Sequence, residues 1–114
     1  MYANGVVYVT MIFIETAVFT KRLRGLLDDT SYAEFQRLLA HNPNAGDVIE
    51  GTGGIRKIRV ASSGRGKRGG SRVIYYHFTA AAQIVLLLIY PKNEKDDLTP
   101  TECKVLKQII EAWR

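Results

Sequence analysis

A single cysteine, Cys103, stands in this chain of 114 residues. One cysteine cannot close an intramolecular disulfide, so nothing staples the fold covalently, and Cys103 reads as an ordinary helix residue. Histidine is equally scarce. His41 and His77 lie far apart and read as structural, and with one thiol beside them they leave no ligand spacing for zinc. No metal and no cofactor is expected. Long apolar runs are missing too: the longest, Ile84 to Ile89, falls far short of the ~20 residues a membrane span requires, which excludes a bilayer-crossing role. Gly5 to Ile14 is apolar apart from Thr10, but no basic segment precedes it and no small-residue cleavage site follows, so the expected location is cytoplasmic.

The most informative absence is of acid. From Gly51 to Asn93 there is no Asp or Glu, while Arg56, Lys57, Arg59, Arg65, Lys67, Arg68, Arg72 and Lys92 all fall inside that window. The net charge of +5 is therefore concentrated, and it favours a polyanionic partner. Hydrophobic residues make up 46% of the chain, enough for one core, and the length suits one domain.

Periodicity gives an order of elements. Residues 1–10 read as an N-terminal extension, and the domain is expected over 11–114. Ile12-Phe13-Ile14 opens as a strand. From Thr16 a helical pattern places Phe19, Leu23, Leu26 and Leu27 on one face and should stop near Asp28-Asp29. Ser31 to Glu34 has the form of a capping box that launches Phe35, Leu38 and Leu39 in a second helix, ended by Asn42-Pro43. These two helices predict an antiparallel hairpin with a linker of two or three residues.

Three strand-like runs follow, Ile55 to Val60, Arg72 to Phe78 and Ile84 to Tyr90, and together they predict an antiparallel meander. In the first, Ile58 and Val60 alternate with Lys57 and Arg59, as expected of a sheet covered by helices on one side, with a cationic open face. Ile84 to Ile89, apolar throughout, reads as the central strand. Thr99-Pro100-Thr101-Glu102 supplies an N-cap, a first-turn proline and a capping glutamate for a C-terminal helix carrying Val105, Leu106, Ile109, Ile110 and Trp113. The class is α+β: an N-terminal strand and helical hairpin packed on a meander, closed by a helix.

Gly64 to Gly69 formally matches a dinucleotide fingerprint, but a strand follows it where a helix is required, so the nucleotide reading fails. A cationic hairpin loop, with Arg65, Lys67 and Arg68 as phosphate contacts, is the better account. Metal-free RNA cleavage needs cations at the scissile phosphate, because negative charge develops there in the transition state. Lys57 and Arg59 share a face, and Arg72 and Lys92 could converge with them. The same cations would equally serve a non-catalytic RNA-binding surface or a face for an acidic protein. Among Tyr75, Tyr76 and Tyr90, the last is the best candidate for stacking on a base, since it ends a strand beside Lys92.

The segments Ile12 to Thr16, Gly46 to Arg59 with its Gly-Thr-Gly-Gly core, Gly66 to Tyr76 and Ile89 to Glu94 resemble the HigB branch of the RelE-type toxins, and the likeness runs from Met11 to Arg114. The resemblance implies the RelE-like microbial RNase fold and a toxin that enters the ribosomal A site, contacts rRNA, and cleaves mRNA there without a metal. It also implies a cognate helix-turn-helix antitoxin, through which alone the protein would meet operator DNA. By position, Lys57 and Arg59 resemble the paired basic residues of the active-site strand and Arg72 the arginine of the next strand. That makes Lys57 a base or phosphate ligand and Arg59 and Arg72 transition-state stabilisers. Lys92 is carried with them as catalytic, and Arg56, Arg65, Lys67, Arg68, Tyr90 and Lys95 as contacts to RNA or ribosome. The sequence departs from the pattern at Lys92-Asn93-Glu94, where a Lys-Arg pair is expected, and no C-terminal Tyr or His follows. The general acid is thus open, with Lys92 or Lys95 available.

Overall fold

A computed structural model of the chain describes residues 10–61, 70–95 and 97–113. Its elements run β1 (Ile12–Glu15), α1 (Ala17–Leu23), α2 (Asp29–His41), β2 (Asp47–Val48), β3 (Arg56–Val60), β4 (Ser71–Phe78), β5 (Gln83–Pro91) and α3 (Pro100–Trp113). The five strands form one sheet in the order β1-β5-β4-β3-β2. Strands β3, β4 and β5 are the antiparallel meander read from the sequence. β1 joins the edge of β5 in parallel, with Ile12 opposite Gln83. β5 has a neighbour on each side, but β4 is the middle strand.

Helix starts follow their caps. Thr16 accepts from the Phe19 amide and begins α1. At α3 both halves of the capping box form: the Thr99 hydroxyl accepts from the Glu102 amide at 3.1 Å, and the Glu102 carboxylate accepts from the Thr99 amide at 2.8 Å. The second helix departs from expectation. Asp28 is its cap, accepting from the Ser31 amide at 2.7 Å, so Ser31 lies inside the first turn. The reason is upstream. Gly25 is a poor helix residue, α1 ends at Leu23, and the chain bends so that Leu27 turns inward to 6% exposure while Asp28 takes the extended backbone a cap requires. The linker is accordingly residues 24–28.

Two cores lie on opposite faces of the sheet. The α1–α2 hairpin lays Phe19, Leu27, Phe35 and Leu39 over Val60, Val73, Tyr75, Ile84, Leu86 and Ile89. On the other face α3 lays Leu106 and Ile110 over Ile55, Ile74, Val85, Leu87 and Tyr90. The expectation of a face left open is therefore corrected: a strand such as β5, apolar at every position, needs cover on both sides. Of the apolar residues of α3, Val105, Ile109 and Trp113 remain 40–48% exposed.

A β-bulge sets the phase of β5. Ile74 pairs with Leu88 but Tyr75 with Leu86, which leaves Leu87 as an extra residue. Val85, Leu87, Leu88 and Tyr90 all pack toward α3, so the strand reverses its alternation at this point. That reversal seats Tyr90 directly opposite Arg72 on the α3 side of the sheet.

Candidate functional site

On β3 the pleat sends Ile58 and Val60 toward the helical hairpin and leaves Lys57 and Arg59 on the other face. Register places Arg59 opposite Arg72 of β4. α3 covers this face only in part, and beyond its cover lies an open cavity of about 180 Å³ lined by Ala45, Gly46, Asp47, Lys57, Ile58, Arg59 and Arg72. Lys57, Arg59 and Arg72 thus share one cavity.

Its walls are held by backbone contacts. Gly46 is buried where a Cβ would come within 2.7 Å of the Lys57 carbonyl and 2.9 Å of the Tyr75 ring, so only glycine lets the chain pass so close to β3. The Gly46 amide donates to the Tyr75 hydroxyl at 2.9 Å, and that hydroxyl donates to the Pro43 carbonyl at 2.7 Å. Burial pushes the Tyr75 phenol above its ordinary range, so it stays a neutral donor. Gly70, at φ +62°, lets the chain enter β4 against the Val60 carbonyl, where a side chain would collide. Lys92 then donates its amide to the Gly70 carbonyl at 3.0 Å, closing the end of the β4–β5 pair.

A carboxylate joins the cations. Asp97, between β5 and α3, accepts from Lys57 Nζ at 2.6 Å and has Arg72 Nη1 at 3.6 Å. The hydrogen bond and charge of Lys57, then the charge of Arg72, hold its carboxyl below the usual range. Arg72 is mostly covered, at 18% side-chain exposure, with its Nε buried and without a partner among the described residues. Tyr90, beside it, has its hydroxyl buried and unpartnered as well, and burial pushes its phenol up against the opposing pull of Arg72.

Several expected RNA contacts sit otherwise. Tyr90 is 1% exposed, beneath Leu106 and Ile110, so its ring has no open face for a base. Arg56 points to the opposite side of β3 from Lys57 and donates to the Gly46 carbonyl at 2.6 Å, which makes it a clamp on the cavity wall. Lys95 is ion-paired with Glu102 and lies 5.1 Å from the Tyr90 ring centre. Lys92 is partly buried past the end of the paired strands and does not line the cavity. Arg65, Lys67 and Arg68 lie outside the described residues. Sequence reasoning missed Asp47 and Asp97 as neighbours of the cations, since both lie outside the acid-free window and alternation says nothing about either.

A sheet held between a helical hairpin and a single helix, with a cationic cavity where the cover ends, defines a small basic α+β protein. Residues 15–114 match the family model described as the RelE toxin of the RelE / RelB toxin-antitoxin system, and the chain belongs to that family. Solved structures agree on the fold. A chain of the intact E. coli RelBE toxin-antitoxin complex is similar at 16% identity and a TM-score of 0.53, over 72% of this chain and 96% of that one. A doubly substituted E. coli RelE in the free state gives 16% identity and 0.55, over 77% and 90%. The isolated E. coli RelE toxin gives 13% and 0.53, over 88% and 99%. No helix among the described residues is long and apolar enough to cross a membrane.

Proposed function

We propose that this toxin is a ribosome-dependent mRNA endonuclease of the HigB-like branch, cutting message in the A site without a metal and silenced by a cognate antitoxin. The observation that carries the reading is the convergence of Lys57, Arg59 and Arg72 on one open cavity. In such a cleavage the ribose 2′-oxygen gives up its proton and bonds to phosphorus. The bond from phosphorus to the 5′-oxygen breaks, and that oxygen takes a proton. Negative charge gathers on the phosphoryl oxygens between these events, and cations fixed in advance stabilise it most.

Arg59 and Arg72 are the transition-state stabilisers in this account. Lys57 donates to Asp97, which favours its role as phosphate ligand over that of base. Of the two lysines available to protonate the leaving group, Lys95 is tied to Glu102 and Lys92 lies outside the cavity lining, so Lys92 would serve only a leaving oxygen that extends past the three cations. The family's toxin-antitoxin context and the RelBE complex support an antitoxin partner, for which a helix-turn-helix protein that alone contacts operator DNA is proposed. Ribosomal RNA and mRNA are the proposed polyanions, and the cytoplasm the proposed site of action.

Cell-free translation of a defined message, followed by primer extension, tests the reading. New 5′ ends inside translated codons should appear only with ribosomes present, and Arg72→Ala should reduce them about 10²- to 10³-fold while the protein still binds ribosomes. Intact message beside a ribosome-bound wild-type protein would make this a binding module.

A further inference from the structure

Two of the cavity's three cations already meet an anion of the chain itself. Asp97, between β5 and α3, pairs with two of the cations that line the cavity, Lys57 at 2.6 Å and Arg72 at 3.6 Å. Asp47, the carboxylate that lines the cavity, makes no ion pair among the described residues. Asp97 belongs to no helix or strand, and its side chain is 63% exposed, so little holds it apart from the two cations. One carboxylate oxygen, Oδ1, faces both the lysine and the arginine, as a single non-bridging oxygen of a phosphodiester would face this pair.

We propose that Asp97 is a specificity-determining residue: its carboxylate occupies the place of the substrate phosphate in the free protein, so that free RNA competes poorly and a strand held in position displaces it. The inference rests on the nuclease reading for its consequence, but the bridge itself can be tested by binding alone. An exposed ion pair is a weak barrier, and a phosphate fixed by another body acts at a high effective concentration against it. A strand arriving by diffusion has no such advantage. Asp97 thereby discriminates between RNA that is positioned and RNA that is loose, while the three cations remain the groups that meet the phosphate.

Counterions give a quantitative signature. With Asp97 already neutralising about one unit of charge at the pair, a phosphate that takes its place releases fewer salt ions than it would from bare cations. The experiment is a titration of full-length protein with a labelled, uncleavable 2′-O-methyl RNA oligonucleotide at several salt concentrations, using wild type, Asp97→Asn and, as a control, Glu111→Gln on the far end of α3. Asp97→Asn should bind about two- to fivefold more tightly at low salt. Its plot of log affinity against log salt should be steeper by about 0.7. Glu111→Gln should change neither, and the gain should vanish when Lys57 is Ala, because the cation that Asp97 occupies is then gone.

In the cleavage assay, Asp97→Asn should retain cutting on ribosomes and cut naked RNA more than wild type does. If Asp97→Asn binds no more tightly than wild type, or loses cutting on ribosomes with its RNA affinity unchanged, the inference is overturned and Asp97 belongs among the groups that position the reaction. Should wild type cut no message at all, the nuclease reading fails, and the titration still decides whether Asp97 stands in for a phosphate.

Discussion

The two faces of the sheet are made by the same strands and do different work. Toward the helical hairpin, two helices close over Val60, Val73, Tyr75 and Leu86 with no charged residue in the buried set. Toward α3, a single helix contributes only Leu106 and Ile110 to the core and ends its cover before Lys57, Arg59 and Arg72. Strand β3 shows the division within five residues: Ile58 and Val60 face one way, Lys57 and Arg59 the other. Stability and chemistry are separated by pleat parity, so the cations can crowd together without intruding on the main core. The lesson is that the incompletely covered face is the one available for an anion.

Substitutions on each face test that division. The largest effect is expected at Phe35→Ala, which empties a 5%-exposed site under the hairpin and should cost about 3–5 kcal/mol in denaturant unfolding, against about 2–4 kcal/mol for Ile110→Ala under α3. Equal losses would mean that the two faces carry the fold alike. A smaller effect, about 1–3 kcal/mol, is expected for Tyr75→Phe, which leaves the buried Gly46 amide without its acceptor. This substitution also tests whether the cavity wall depends on the hairpin side, since Gly46 lines the cavity but is tethered from the other face; a drop in RNA affinity together with stability would show that it does.

The smallest effect concerns the start of α3. Thr99→Ala should cost about 1 kcal/mol, measured by thermal melting. Its partner Glu102 is held below its usual 4.5 by the Lys95 contact first and the Thr99 amide second. A carboxyl depressed on folding stabilises fully above that ordinary value, and the contribution is lost as pH falls through the lower folded one. Protection of the amides in the first turn of α3, taken relative to their intrinsic exchange rates, should therefore fall as pH drops below the ordinary carboxylate range, while the hairpin amides stay protected. Loss of protection in both together would remove the distinction between the faces.

What could be read from sequence was what depends on neighbours in the chain. The α3 cap is legible because Thr99, Pro100 and Glu102 form it among themselves, and the cations of β3 are legible because they alternate with Ile58 and Val60. The start of α2 was not, because Asp28 and Ser31 are both competent caps and the burial of Leu27 decides between them. Nor was the face of Tyr90: a run of Ile, Val and Leu carries no alternation in which a bulge at Leu87 could be seen. Strand β2, two exposed positions long, has no pattern at all. The bridge to Asp97 joins residues 40 apart through a turn, and no local rule predicts it.

The parallel pairing of β1 has a consequence for the order in which the molecule can be assembled. β3, β4 and β5 follow one another along the chain and can pair as each is made, but Ile12 must wait for Gln83, 71 residues later, before it has a strand to bond. During synthesis, which proceeds from the N-terminus, β1 is thus the earliest strand to emerge and the one whose loop closure is longest. Its partner β5 also delivers the turn that leads to Asp97. A growing chain therefore completes its sheet and the surroundings of its cationic cavity in the same late stretch of translation.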